Sequence, residues 1–348
     1  GPAFHSARWD HTVPLAGRRV AAIGTGASGA QFIPAIADEV EHLSVYQRTP
    51  PWFIPTPDYT DALPDGLRWL FAHLPGYANW YRLWLFWRYY EGMLPATVVD
   101  DDWDGGGRSV SPLNEMVRIM LAEYVEEQFG DDPDLRDAVM PDYPPAAKRM
   151  IRDDGSWARA LRSDTVNLVT EPIERITADG VRTADGVEHP ADVIIYGTGF
   201  AASDFLVPMQ VVGRDGLDLH EAWGGDARAH LGMTVPGFPN LFLMYGPNTN
   251  IVINGSIIYF SECEAHYIVQ AVRRLAEGPH RSMDVREDVL DAYAERVDQA
   301  NRRMAWGASD VSSWYKNANG RVTQNWPFSL LEFWQQTREV ADSEYTWR

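Results

Sequence analysis

Apolar runs broken by polar, glycine-bearing segments recur along the chain, and the first such passage is the most sharply drawn. Arg18-Arg19-Val-Ala-Ala-Ile23 is a short apolar run of the kind that forms a buried strand. It enters the loop Gly24-Thr-Gly26-Ala-Ser-Gly29. The pattern over residues 30–40 predicts a helix leaving that loop, with Pro34 tolerated only near its first turn. Leu43-Ser-Val-Tyr46 predicts the next strand. Strand, glycine loop, helix and strand within about 30 residues make a dinucleotide-binding unit.

From about residue 58 to residue 142 the pattern changes. Aromatic-rich helical stretches surround an acidic loop, Asp100-Asp-Asp-Trp-Asp-Gly-Gly-Gly107, which predicts a helical insertion in the nucleotide domain. Strand patterns return at Val166-Asn-Leu-Val169, around the Asp185-Gly186 turn, and in Asp192-Val-Ile-Ile-Tyr196-Gly-Thr-Gly-Phe200. Beyond them come an expected strand, Asn240-Leu-Phe-Leu-Met-Tyr245, and the loop Gly246-Pro-Asn-Thr-Asn250. Apolar spacings of three and four over residues 256–275 then predict a long helix, followed after Asp284 by a charged helix and a tryptophan-containing tail. The fold class is α/β, with a Rossmann-like nucleotide-binding domain over residues 17–190.

A length of 348 residues suits two domains or one elaborated unit. With 30 basic against 49 acidic residues, the net charge of −19 argues against a nucleic-acid partner while permitting a local basic pocket. Cys263, the only cysteine, lies in the predicted long helix as a buried residue, so no intrachain disulfide and no cysteine metal site can form. A reducing cytoplasm fits. The apolar residues 77–90 fall short of the roughly 20 residues of a membrane span and predict an amphipathic helix packed on the protein, with contact to a membrane surface as the alternative. Asp100, Asp101 and Asp102 read as a solvated loop, and no metal is expected.

The glycine loop carries the first candidate site. Gly24 suits a tight turn, Gly26 close approach to a pyrophosphate, and Gly29 close helix–strand packing, while the helix N-terminus offers N–H donors. Thr25, Ser28 and Gln31 lie on the same turn and complete the cofactor-binding set. At the end of the second strand, where NAD-binding units place a carboxylate, stand Gln47-Arg48-Thr49. Arg48 can pair bidentately with a 2′-phosphate, so Arg48 and Thr49 favour NADP(H) over NAD(H).

Several motifs resemble, in order, those of the Baeyer–Villiger monooxygenases, the class B flavoproteins. Gly1, His5, Trp9 and Asp10 resemble the G-x-x-x-H-x-x-x-W-[D/P] fingerprint found where the family's domains join, over residues 1–16 here. Lys148-Arg149, followed by Asp153 or Asp154, Trp157 and Asn167-Leu-Val169, is similar to the family's Lys-Arg segment. The stretch from Asp192 to Phe200 resembles its second linker, with Gly197 where alanine is commoner. The resemblance implies FAD and NADPH as cofactors and oxidation of a ketone to an ester by dioxygen, by way of a peroxyflavin. It makes Arg149 the active-site arginine, Lys148 an aid to the 2′-phosphate, and Trp314, in Ser313-Trp-Tyr315, a neighbour of the nicotinamide nucleotide. Asn248, Thr249 and Asn250 become substrate-pocket candidates, and His5 a structural residue rather than a general base.

Residues 191–348 would then be a linker and the C-terminal part of a FAD-binding α/β domain, and the expectation is a chain lacking the N-terminal FAD-binding unit. Residues 254–262 and 314–327 look most like the branch containing 4-hydroxyacetophenone monooxygenase, which acts on aryl ketones. The alternative is an NADP(H)-binding fragment or module without oxygenase activity of its own. The oligomeric state stays open, a homodimer included.

Overall fold

The computed structural model describes residues 1–89 and 92–348. Its first elements are β1 (Ala3–His5), β2 (Arg19–Ile23), α1 (Ala27–Ile36), β3 (His42–Tyr46) and β4 (Phe53–Pro55). Helices α2 (Asp65–His73), α3 (Tyr77–Tyr89), α4 (Pro112–Phe129) and α5 (Pro133–Val139) follow, then β5 (Ile151–Asp153), α6 (Ser156–Leu161) and β6 (Val166–Val169). Strands β7 (Ile173–Ile176), β8 (Gly180–Thr183), β9 (Glu188–Pro190) and β10 (Val193–Tyr196) precede α7 (Leu219–Trp223) and α8 (Ile257–Glu277). The chain finishes through β11 (Met283–Val285), α9 (Glu287–Arg302), α10 (Ala305–Ala308), α11 (Leu330–Thr337) and β12 (Tyr345–Trp347).

The first of two units comprises Gly1–Ala62, Met116–Asp142 and Arg149–Phe200. Its centre is a five-stranded, wholly parallel sheet in the order β1-β10-β2-β3-β6. Strand alternation sends Val20, Ala22, Leu43, Val45, Val193 and Ile195 to one face, where they meet α1 and α6 through Ile33, Ile36, Trp157 and Leu161. Ala21, Tyr46 and Ile194 point to the opposite face, against Val181 of the antiparallel meander β7-β8-β9. Helices, sheet and meander thus form three layers, the expected α/β arrangement.

Helix α1 begins and ends earlier than its sequence pattern predicts. Pro34 therefore lies inside its last turn rather than its first, and the helix stops two residues later at Ile36. Proline has no N–H to give the preceding turn, so the helix is weakest there. The expected strand at residues 240–245 forms no ladder among the described residues. Its backbone bonds go singly to separate places, Asn240 N–H to Met283 O and Leu243 N–H to Met233 O.

The second unit comprises Leu63–Glu115, Tyr143–Lys148 and Ala201–Arg348. The middle of the expected insertion, residues 63–115, thus groups with the C-terminal half, whereas residues 116–142 group with the sheet. Helices α8 and α11 pack through Phe260 and Phe333, stacked 4.0 Å apart, with Trp326 edge-on to both. Helix α3 turns Phe86 to Tyr259 and pairs Arg82 with Glu262, while Trp80, Leu83 and Trp87 stay exposed. Tyr90 lies outside the described residues. Cys263 is buried as expected, and burial pushes its thiol up to about 11. Of the acidic loop, Asp100 accepts the Asp102 N–H and Asp101 pairs with Arg303. Among the described residues no helix is long and apolar enough to cross a membrane.

Candidate functional site

Strand register in the first unit gathers the candidate loops at one edge of the sheet. Ile23 lies beside Tyr46 and Tyr196, His5 beside Tyr196, and Val169 beside Tyr46. All five strands are parallel, so the glycine loop, the Gln47-Arg48-Thr49 turn and the segment 197–200 leave from their carboxyl ends. Open parallel sheets bind their ligands at that edge.

The three glycines differ in what requires them. Gly24 has φ of 107°, donates its N–H to Tyr46 O, and would bring a Cβ to 2.5 Å from Gly197 O. A Cβ on Gly29 would lie 2.3 Å from Gly24 O, so its hydrogen is what lets α1 sit on the loop. At Gly26, by contrast, a Cβ would meet nothing within 4 Å. Gly26 is also the N-cap of α1, and no side chain caps it. The first-turn N–H groups therefore open onto free space with the positive end of the helix dipole behind them, a setting that fits a phosphate. Gly26 and Gln31 are exposed, Ser28 half-buried, and Thr25 buried.

Beyond β3, Gln47 turns inward and donates to Ala138 O at 2.7 Å. Arg48 is exposed at the same edge, Thr49 half-buried, and no carboxylate stands among the three. That combination suits a ribose carrying a 2′-phosphate.

The fingerprint residues hold backbone in place. His5 Nδ1 accepts the Ala7 N–H at 3.1 Å, so Nε2 carries the proton and donates to Gly199 O at 3.0 Å. The imidazole is committed at both nitrogens. Trp9 packs edge-on between Phe4 and Phe32, and Asp10 accepts both the N–H and the hydroxyl of Thr12. A Cβ on Gly1 would lie 2.0 Å from Asp192 O. Asp192 is a residue that motif reading passed over: it grips the Arg19 guanidinium at 2.6 and 3.2 Å and the Arg19 N–H at 2.9 Å. Those bonds hold its carboxyl well below the usual carboxylate range. The signal was available, since Asp192 opens the second linker motif.

Arg149 is exposed and two residues short of β5, which pairs in parallel with β4 and donates Ile151 N–H to Trp52 O. Asp153, at the end of β5, is buried and accepts from Tyr124 Oη, Gly155 N–H and Trp157 N–H at 2.9–3.1 Å. It ties the start of α6 to the strand that Arg149 leads into. Trp157 is buried and stacks on Phe53. The acidic and aromatic residues after the Lys-Arg pair are thus its scaffold.

The remaining candidates belong to the second unit. Lys148 is half-buried, with its ammonium 5.4 Å from the Tyr143 ring centre, and Trp314 is half-buried against Tyr315. Asn248, Thr249 and Asn250 are buried, and their side chains serve the chain's own hydrogen bonds. Asn248 Nδ2 donates to Val322 O and Asn325 O, Thr249 Oγ1 to Gly246 O, and Asn250 Nδ2 to Asn325 Oδ1. Thr249 has no exposed surface.

Known proteins resemble this chain in sequence and in fold. Over 346 residues the sequence is 36% identical to an uncharacterized monooxygenase, y4iD, of Sinorhizobium fredii, covering 99% of this chain and 52% of that protein. It is 35% identical over 347 residues to a Baeyer–Villiger monooxygenase of Pseudomonas aeruginosa, covering 99% of this chain and 63% of the relative. The structure overlays all of this chain on 70% of closed cyclohexanone monooxygenase, at 26% identity and a TM-score of 0.79. The chain is a homologue of the Baeyer–Villiger monooxygenases.

An oxidized steroid monooxygenase bound to NADP also matches, at 25% identity and a TM-score of 0.77, over all of this chain and 70% of that one. No family model matches. The chain spans about half to two-thirds of the length of these curated relatives. The overlay on closed cyclohexanone monooxygenase takes in the whole of this chain, its parallel sheet and glycine loop included.

Proposed function

We propose that the chain carries the NADPH site and the active-site arginine of a FAD- and NADPH-dependent Baeyer–Villiger monooxygenase. Its domains are the fingerprint linker (residues 1–16), the NADP-binding domain (17–190), and a linker with the C-terminal part of the FAD-binding domain (191–348). The observation that carries the reading is the uncapped N-terminus of α1 at Gly26, on the same sheet edge as Arg48, with no carboxylate among Gln47, Arg48 and Thr49. Gly24, Thr25, Gly26, Ser28, Gly29 and Gln31 would hold the pyrophosphate, Arg48 and Thr49 the 2′-phosphate with Lys148, and Trp314 would pack near the nicotinamide. A bound reduced flavin supplies the electrons and the site at which oxygen is activated for a ketone.

Arg149 then does what only a permanent cation can do. The reaction builds negative charge on oxygen, and a guanidinium stabilises it without giving up a proton. Lysine would quench part of that anion by proton transfer. Asn248 and Asn250 hold the neighbouring loop in shape through their side chains, leaving its surface to meet the substrate. Residues 254–262 and 314–327 favour the 4-hydroxyacetophenone monooxygenase branch and hence an aryl ketone.

A second reading, NADP(H) binding without oxygenation, is favoured by the fact that the side chains of Asn248, Thr249 and Asn250 are spent internally. The test is NADPH-dependent ester formation from an aryl ketone with FAD supplied, comparing wild type with Arg149→Ala. Ester from the wild type and a loss of at least 100-fold in the variant, NADPH affinity being unchanged, support the proposal. Full activity in the variant removes Arg149 from the role. Tight NADPH binding with no ester from either protein supports the second reading.

A further inference from the structure

Glu264, on α8, is the most deeply buried carboxylate among the described residues of the second unit, with no exposed surface. Its Oε2 accepts the N–H of Tyr245 at 3.2 Å, and its Oε1 has no hydrogen-bond partner. Tyr245 is the residue before the Gly246-Pro-Asn-Thr-Asn250 loop, and its φ of 56° is left-handed, a conformation that a tyrosine adopts only when held.

The far end of the loop is laced in another way. Asn248 N–H donates to Thr323 O, Asn250 N–H to Gln324 O, and Trp326 N–H to Asn250 O, all at 2.7–2.9 Å. Asn325 joins the lacing through Asn250 and Asn248, and Asn301 continues it to Trp306. Tyr245 itself reaches across the loop, its hydroxyl donating to Asn250 Oδ1 at 2.9 Å. The backbone bonds at the far end join neutral groups, and its charged contact is the guanidinium of Arg321, a permanent cation, at 3.5 Å from Asn248 Oδ1. The near end includes a titratable acceptor, Glu264.

We propose that Glu264 is a positioning residue for this loop, its ionised carboxylate clamping the Tyr245 N–H and its protonation loosening that end. A charged acceptor holds an N–H more tightly than a neutral one. The titratable groups facing Glu264 are Tyr293 of α9, whose buried hydroxyl also lacks a partner, and Cys263 on its own helix. His230 lies behind Tyr293, ring centres 5.1 Å apart, with its Nε2 on Glu344. None of these supplies Glu264 with a cation, and burial pushes its carboxyl up to about 7. The clamp therefore switches at neutral pH. A role in catalysis rests on the reading that places this loop beside cofactor and substrate.

The experiment is amide hydrogen exchange on the chain over a pH range centred on about 7, corrected for the intrinsic pH dependence of exchange. Tyr245 N–H should gain roughly tenfold protection as Glu264 ionises, while Asn250 N–H, bonded to Gln324 O, should not change and serves as the internal reference. In Glu264→Gln, which keeps an acceptor oxygen but no charge, the Tyr245 step should vanish. Constant protection of Tyr245 in the wild type overturns the clamp, as does a parallel change at Asn250 or an unaltered step in the variant. Should the variant fail to fold, the wild-type comparison of the two amides decides alone. Turnover of an aryl ketone, measured in parallel, should lose its neutral-pH step in Glu264→Gln. Absence of turnover at every pH overturns the functional reading and leaves the clamp to the exchange data.

Discussion

Two substitutions one turn apart separate a glycine needed by the fold from a glycine needed by a ligand. In a helix, Gly29→Ala should by propensity alone stabilise by about 1 kcal/mol. The structure predicts the opposite sign. The new methyl would lie 2.3 Å from Gly24 O, roughly 1 Å inside ordinary contact, and the obstructing atom is backbone that no rotamer change can move. Overpacking of this kind costs roughly 2–3 kcal/mol, so the net expectation is a loss of about 1–2 kcal/mol. Gly26→Ala meets no atom within 4 Å, and its φ of −70° suits alanine. Stability should fall by no more than about 1 kcal/mol, the difference between glycine and alanine as an N-cap. Its methyl would, however, project into the space offered to the pyrophosphate. Displacing one or two charge-assisted N–H bonds should weaken NADPH binding about 10- to 100-fold. Urea unfolding and NADPH titration by fluorescence read both quantities on both variants. A Gly29→Ala protein more stable than wild type, or a Gly26→Ala protein with wild-type affinity, would refute the reasoning.

Arg48→Ala should weaken NADPH about 10- to 100-fold while leaving NADH within about twofold, measured by competitive titration; equal losses would remove the 2′-phosphate role. Asp192→Asn should alter acid sensitivity in a known direction. The Arg19 bonds depress the folded-state value of Asp192, so its contribution is complete above the ordinary carboxylate range and is lost as the pH falls below it. Urea unfolding curves at successively lower pH should therefore converge for wild type and variant, and a gap that persists in acid would contradict the assignment.

The nucleotide-binding unit was legible because its signals are local. An apolar run, three glycines and a second apolar run lie within a few turns of chain, and each glycine's demand follows from its neighbours. The bounds of α1 were less so, since Pro34 is compatible with either end of a helix and only packing chose. The strand expected at residues 240–245 failed for a different reason: alternation describes which way side chains point but not whether a neighbouring strand lies within reach. At the candidate site, residue types and their order predicted the sheet-edge cluster. The division of labour within it was invisible, because the bond from His5 to Gly199 and the embrace of Arg19 by Asp192 join residues about 170–200 positions apart. Glu264 carries no sequence signal beyond a charged residue on the apolar side of a helix, a position where charge is costly unless it does something.

The place of β1 in the sheet has a consequence for the birth of the protein. Its ladder neighbour among the described residues is β10, so β1 has no strand to pair with until residues 193–196 have emerged. At about 5–20 residues per second that is a wait of roughly 10–40 s. Strands β2 and β3 can pair early, because the turn of helix between them is short. The slot between β1 and β2 stays empty until late. The nascent sheet must keep the edge at β2 open for that interval, shielded from other chains, and the arrival of β10 fills it and seats Phe4 and His5 in the same event.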